Sequence, residues 1–236
     1  MASHHSAFLH DPSSLLLRFA RVWAIRAAGR TGCFARHAKP ASLGTARSLG
    51  CRVAGVVAHD FGGATALRTH LLGGKDFRTL TLIDPVALSP WGSPFVRHVR
   101  QHEAAFSGLP DYIHQAIVPA YVRGAVRRTM PDEELHPYVR PWLGTTGQAA
   151  FYRQIAQMDQ RYTDEVAPLY SRVRCPSLVL WGEDDQWIPA ARGLELQQAI
   201  PGATLQVVPR AGHLVQEDAP EAVVAALLGF LSNERT

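Results

Sequence analysis

The stretch "VAGVVAHDFGGATALRTHLL", Val53 to Leu72, decides how the rest of the chain is read. Val53–Ala58 is a continuous apolar run rich in β-branched residues, the pattern of a strand buried on both faces of a parallel sheet. A helical pattern, Ala64–Leu72, follows almost at once and is closed by Gly73-Gly74. Between them Ala58-His59-Asp60-Phe61-Gly62-Gly63 has the form small–X–acid–X–small–small. A strand that turns directly into a helix brings backbones together. A large side chain at 58 or 62 would clash, and the middle residue is forced to the apex, at the helix N-terminus. Free N–H groups and the helix dipole stabilise an anion there. Taken alone, Asp60 reads equally well as a helix N-cap, a common use of aspartate.

Downstream the strand–helix rhythm repeats. "FRTLTLID" (Phe77–Asp84), "PSLVLWGEDD" (Pro176–Asp185) and "ATLQVVP" (Ala203–Pro209) read as strands. Ile188–Ile200 reads as a helix stopped by Pro201-Gly202, and Glu221–Leu231 as a last helix opened by Pro220. Strands alternating with helices imply a parallel sheet with right-handed crossovers. Between Pro85 and Pro168 the rhythm changes: no strand can be marked, and helical patterns are broken at Pro90, Pro94, Pro110, Pro119, Pro131, Pro137 and Pro141. A segment that long reads as a helical lid rather than a loop.

In parallel sheets, ligand and catalytic groups gather at the carboxyl ends of strands. "LVLWGEDDQWIP" puts Asp184 and Asp185 at such an end, and "VVPRAGHLVQEDAPE" puts His213 in the loop after the last strand, behind Gly212. With Asp60 this gives the chain order nucleophile, acid, histidine, on one edge. That arrangement outweighs the N-cap reading and the ordinary fate of a loop histidine, which is solvation.

Composition narrows the classes. The 236 residues are 47% hydrophobic, enough for one domain of ordinary size with an insertion. No apolar run is long enough to span a membrane. Cys33, Cys51 and Cys175 are odd in number and widely spaced, which argues against a disulfide framework or zinc site and for a reducing compartment, the cytoplasm. The net charge of +4 comes from residues 1–58, which hold eight Lys/Arg against Asp11 alone, so the body is mildly acidic and carries no basic face for nucleic acid. His98 and His102 are four apart on a helical pattern but have no third ligand at metal spacing, His4-His5 is uninformative, and no phosphate-loop lysine follows Gly73-Gly74.

From Val53 to the C-terminus the sequence resembles the α/β-hydrolase superfamily, on the elbow, "WGEDD" and "GHLVQEDAP" taken in that order. Its "HDFGG" elbow is similar to the branch with an aspartate nucleophile, the epoxide hydrolases and haloalkane dehalogenases. The resemblance implies an α/β-hydrolase fold, a mostly parallel sheet with helices on both faces and a helical cap. The expected division is an atypical basic segment at 1–52, a core at 53–85 and 169–236, and a cap at 86–168. Asp60 would be the nucleophile and His213 the base that activates water. Asp185 would orient His213, because the acid in such loops lies three residues after the glycine, here Gly182; Asp184 is the substitute. The N–H of Phe61 matches one oxyanion donor, with His59 beside it in the same oxyanion and substrate region. A carboxylate there suits attack on an sp³ carbon, leaving an alkyl ester that water cleaves.

Dehalogenases of this branch often carry Trp or Arg where Phe61 stands, and phenylalanine offers a halide no donor. Epoxide opening needs an acid over the ring oxygen, usually a cap tyrosine. Of Tyr112, Tyr121, Tyr138, Tyr152 and Tyr162, Tyr152 in "FYRQIAQMDQRY" is the first to examine. The expected function is therefore hydrolysis of a small organic substrate, an epoxide before a haloalkane, with no cofactor and no metal. An ester or lactone hydrolase of the same fold and a catalytically impaired remnant are the alternatives. The oligomeric state is not legible.

Residues 1–52 break the resemblance. The family begins with several strands and a His-Gly loop that supplies the second oxyanion N–H. No His-Gly precedes residue 53, and the segment is rich in Arg, Ala, Gly and Ser. A truncated or replaced N-terminal part, as a shifted reading frame in GC-rich DNA yields, is preferred to an Arg-rich targeting peptide. Arg outnumbers Lys by 22 to 2 over the whole chain and not only in the leader.

Overall fold

A computed structural model of the chain describes residues 55–233, and in it the apolar runs become β1 (Gly55–His59), β2 (Thr79–Ile83), β3 (Ser177–Gly182) and β4 (Thr204–Val208). The helices are α1 (Phe61–Leu71), α2 (Pro94–Gln101), α3 (Glu103–Ser107), α4 (Asp111–Arg123), α5 (Asp132–Val139), α6 (Gly144–Ala156), α7 (Arg161–Asp164), α8 (Ala191–Ala199), α9 (Val215–Asp218) and α10 (Pro220–Asn233). The strands lie side by side in chain order, all parallel, with Gly55 beside Thr79, Leu80 beside Ser177 and Leu178 beside Thr204. The segment 1–52, with its questions of missing strands and a missing His-Gly loop, lies outside the described residues.

Alternation along the strands divides the core into two layers. Ala58, Leu80, Leu82, Val179 and Trp181 pack on one face with Ala66 and Leu67 of α1 and Leu196 of α8. Val57, Ile83, Leu178, Leu180 and Val208 pack on the other with Val215 of α9 and Val223 and Leu227 of α10. Each fully buried leucine in these layers contributes about 1.5–3 kcal/mol. β2 and β3 are buried at every position, as central parallel strands are. β1 is fully buried only at Val57 and Ala58, because it has a strand neighbour on one side only among the described residues. On β4, at the other end of the described sheet, Thr204, Gln206 and Val207 are exposed.

Two boundaries move from their expected places for local reasons, and two expected breaks do not occur. α1 begins at Phe61 instead of Ala64, so both elbow glycines lie inside its first turn. α8 begins at Ala191 instead of Ile188, because the N–H groups of Trp187 and Ile188 are taken by Asp185 Oδ1 at 2.7 and 2.9 Å. Pro119 and Pro137 sit inside α4 and α5 and do not end them.

Residues 92–124 and 129–159 form a compact helical unit, while 55–91, 125–128 and 160–233 cluster with the sheet. These bounds are narrower than 86–168. Val86, Ala87 and Val166 belong to the sheet's own core, and Tyr170 Oη donates to Ala87 O at 2.6 Å. Within the helical unit, Trp142, Phe151 and Tyr152 are buried, and neighbouring rings meet edge to face: Trp142–Phe151 at 5.6 Å and Phe151–Tyr152 at 5.1 Å. No helix among the described residues is long and apolar enough to cross a membrane.

Candidate active site

The end of β1 holds Asp60 in a strained backbone, φ 52° and ψ −126°. Such a conformation costs about 1–3 kcal/mol and persists only where the surroundings impose it. Here the Asp60 N–H donates to Ile83 O at 3.2 Å, and Asp60 O accepts from Gly63 N at 2.9 Å and Val86 N at 3.1 Å. The close approach falls at Gly63, where a Cβ would lie 2.4 Å from Pro85 Cβ. The Asp60 side chain caps nothing among the described residues, so the N-cap reading is set aside. The side chain is 16% exposed, and its Oδ1 lies 3.6 Å from His213 Nε2.

His213 arrives from the loop after β4 and is almost wholly buried. Its Nδ1–H donates to Asp185 Oδ2 at 2.8 Å, and a carboxylate acceptor at Nδ1 turns the unprotonated Nε2 of the neutral ring toward Asp60. Asp185 is itself fixed, since its other oxygen accepts the Trp187 and Ile188 N–H groups. The loops bearing the acid and the histidine touch: a Cβ on Gly182 would sit 2.2 Å from Gly212 O. The adjacent carboxylate, Asp184, points elsewhere and pairs with Arg127 Nε at 3.1 Å. Of the two acids, the structure brings Asp185 to the histidine.

Electrostatics follow from this packing. Burial pushes the Asp60 carboxyl up, but His213 and His59 beside it, with the N–H of Phe61, outweigh burial and hold it below the usual value. Burial likewise disfavours the His213 imidazolium, and the carboxylates of Asp185 and Asp60 overcome it, so its pKa lies well above 6.5. His59 goes the other way. Burial and then the charge of His213 lower it to about 4.

The remaining expected site residues divide. Phe61 is half-buried with its ring edge-on to Trp91 at 5.5 Å, and its N–H, next along the chain from Asp60, helps to hold that carboxyl below the usual value. His59 is half-buried and turned toward His213: its Nε2–H donates to the backbone carbonyl of His213 at 2.9 Å, with ring centroids 4.8 Å apart. Tyr152 is corrected outright. It is 0% exposed in the core of the helical unit and its hydroxyl is bonded to His114 Nδ1 at 3.0 Å, so packing and that partner occupy it. His98 and His102 are exposed and their rings meet at 4.7 Å.

The sequence reading passed over Asp84, which ends β2 beside these loops. It is fully buried at φ 40°, and its Oδ1 accepts the Gly182 N–H at 2.8 Å. Its Oδ2 has no hydrogen-bond partner among the described residues, and burial drives its pKa well above the usual carboxylate range. The available signal was a carboxylate closing an apolar strand, the same signal that marked Asp60.

Comparison with known proteins follows the same outline. Residues 2–226 match the alpha/beta hydrolase family. A 69-residue stretch, 29% of this chain, is 38% identical to the 2-hydroxy-6-oxo-6-phenylhexa-2,4-dienoate hydrolase of Burkholderia cepacia and spans 24% of that protein, about a quarter of its length. Over 231 residues the chain is 23% identical to a 2-hydroxy-6-oxononadienedioate/2-hydroxy-6-oxononatrienedioate hydrolase of a Pseudomonas species, covering 91% of this chain and 74% of the relative. The crystal structure of an alpha/beta hydrolase fold protein from Burkholderia ambifaria shares 52% identity with a TM-score of 0.76, over 80% of this chain and 71% of that one. One of these two relatives is named for a dienoate and the other for a dienedioate and a trienedioate, and neither is named as an epoxide hydrolase or a dehalogenase.

Proposed function

Because this chain belongs to the alpha/beta hydrolase family, we propose that it is a hydrolase acting through an ester on Asp60, with small epoxides as the substrate class. One observation carries the reading: the apex of the elbow bears a carboxylate, held ionised, with His213 Nε2 3.6 Å away and Asp185 behind it. A carboxylate is a competent nucleophile toward sp³ carbon. Its oxygen bonds to an epoxide carbon, the carbon–oxygen bond of the ring breaks, and the freed oxygen takes up a proton from solvent water. His213 then removes a proton from water, which adds to the Asp60 ester carbonyl. Collapse expels the alkoxide, which takes the carboxyl proton, so the carboxylate returns and a diol leaves; His213 gives its proton back to solvent, and epoxide plus water has become diol.

The first step also prepares the second. Esterified Asp60 is neutral, so one of the two carboxylates that stabilise the His213 imidazolium disappears and its pKa falls as a base is needed. The Phe61 N–H, which helps to stabilise the Asp60 carboxylate, is the donor available to the ester carbonyl oxygen as it gathers charge. Epoxides are preferred over haloalkanes because ring opening frees no halide, and Phe61 offers a halide no donor. With Tyr152 engaged by His114, the preference no longer rests on that hydroxyl.

A second reading takes its support from the dienoate and dienedioate hydrolases among the relatives. Attack of Asp60 on a substrate carbonyl would give an anhydride instead of an alkyl ester. The test is to incubate His213→Gln protein separately with styrene oxide, 1-bromohexane and a phenyl ester, then map peptides by mass. An adduct of intact styrene oxide on the Asp60 peptide, absent in Asp60→Ala, is the expected result. No adduct from the epoxide or the bromide, together with an acyl adduct that hydroxylamine removes, would transfer the reading to carbonyl substrates.

A further inference from the structure

We propose that Asp218 is a positioning residue for His213, tying the histidine's loop to the backbone of residues 125–128. The inference rests on the reading of His213 as the base. Asp218 Oδ2 accepts N–H bonds from Gly212 and from Arg127, each at 2.7 Å, and its Oδ1 accepts from Arg128 N at 3.0 Å. One carboxylate thus gathers three backbone donors from two segments far apart in sequence, a charge-assisted set stronger than neutral hydrogen bonds.

The same short segment holds the histidine from its other side, because Leu214 N donates to Ala125 O at 2.8 Å. Residues 212 and 214 are therefore anchored to one strap, and the carbonyl of His213 between them accepts from His59. Gly212 must be small for this contact, since a Cβ there would lie 2.8 Å from Ala125 O and 3.2 Å from Arg127 N. The strap reaches the acid's loop as well, through the pair of Arg127 with Asp184. Arg128 Nε adds a bond to Glu217 O at 2.9 Å. Residues 125–128 thus pack with the sheet, inside a stretch the sequence assigns to the cap, and their task is to hold two loops.

The carboxylate is needed because both oxygens must accept. In Asp218→Asn the amide oxygen can keep the Gly212 and Arg127 bonds, while its NH₂ opposes the Arg128 N–H. In Asp218→Ala all three donors lose their acceptor. A displacement of His213 by about 1 Å costs on the order of 10²-fold, and it falls on the water step, because alkylation needs only Asp60.

The experiment compares wild type, Asp218→Asn, Asp218→Ala and His213→Gln with styrene oxide, reading ester on the Asp60 peptide against diol released. The expected result is normal alkylation and an approximately 10²-fold slower release in Asp218→Ala, so that ester accumulates, with Asp218→Asn between it and wild type. A purely structural role would instead lower both steps with the folded fraction. A substrate-free arm follows the downfield Nδ1–H resonance of His213 and amide exchange at Gly212, Arg127 and Arg128, all of which should change together in both variants. Ester accumulating in His213→Gln but not in Asp218→Ala overturns this proposal. If neither accumulates ester, the base assignment falls, and the resonance decides Asp218 alone: an unshifted resonance with unchanged exchange overturns its positioning role.

Discussion

Asp185 and His213 meet at 2.8 Å, carboxylate Oδ2 against ring Nδ1, with both side chains sealed from solvent. An ion-pairing carboxylate at Nδ1 selects the tautomer whose Nε2 is free to accept a proton. Asp185→Asn keeps the shape but can present an amide N–H to Nδ1, which favours the wrong tautomer. Its kcat should fall by about 10²–10⁴-fold with little change in KM. Asp184→Asn should stay within about threefold of wild type, because it removes only an exposed pair worth about 0–1 kcal/mol. Steady-state kinetics on both variants checks the assignment, and equal losses would undo it.

The two histidines at the site pull stability in opposite directions on the two sides of pH 6.5. His59 is depressed from 6.5 to about 4. Between those values the unfolded chain binds the extra proton, so stability is lost as pH falls through the window, by about 1.4 kcal/mol per unit and about 3 kcal/mol in all. His213 is raised, so its contribution is complete below 6.5 and is lost as pH rises through its folded value. Asp84 pulls the other way across the acid window, so the readout is each variant's melting temperature minus that of wild type at a series of pH values. The His59→Gln difference should rise as pH falls from 6.5 to about 4, and the His213→Gln difference should rise as pH increases above 6.5. A wild-type curve that keeps rising above pH 7.5 would count against the raised His213.

Gly182 tolerates no side chain. The atom a Cβ would strike is the Gly212 carbonyl at 2.2 Å, with Ala211 O at 2.7 Å, and backbone cannot rotate away as a side chain can. Gly182→Ala should cost about 3 kcal/mol or more and separate Asp185 from His213. Gly74→Ala is the control, since its positive φ brings conformational strain and no atom lies within 4 Å of a new Cβ. Denaturant midpoints for the pair should differ clearly.

The fold was legible where chemistry is local. Apolar strands punctuated by proline and glycine gave the parallel order, and Asp60, Asp185 and His213 each stood just past a strand. The sequence could not show that the hydroxyl of Tyr152 belongs to His114, because the two residues come from different helices, α6 and α4. It assigned His59 to the substrate because the residue is next to Asp60, whereas the ring turns toward His213, 154 residues away. Crowding at the elbow was expected at 58 and 62, and the sequence did not show that Gly63 is crowded as well, because the neighbour there, Pro85, follows a different strand. Asp218 stood in plain view in "QEDAP", but its three donors come from loops that only folding assembles.

Asp84 offers a last test, since its burial makes a claim about charge. With a folded pKa raised well above 3.8, it is neutral where an ordinary aspartate is ionised. A raised value means stability is full below 3.8 and falls as pH rises through the folded value, because the unfolded chain releases the proton first. Asp84→Asn keeps an oxygen to accept the Gly182 N–H and removes the titration. Its NH₂ takes the place of Oδ2, which lacks a partner among the described residues, and that costs about 1–3 kcal/mol at every pH. The sign of the stability change at one pH is therefore uninformative, and its slope is the readout. The variant's melting temperature minus that of wild type should rise from pH 4 upward and then level off. In the same variant the pH–rate profile reports the charge near His213: a profile that stays in place means that Asp84 keeps its proton over the working range. A profile displaced toward lower pH in Asp84→Asn would mean that Asp84 is ionised in the working enzyme and helps to hold the His213 proton.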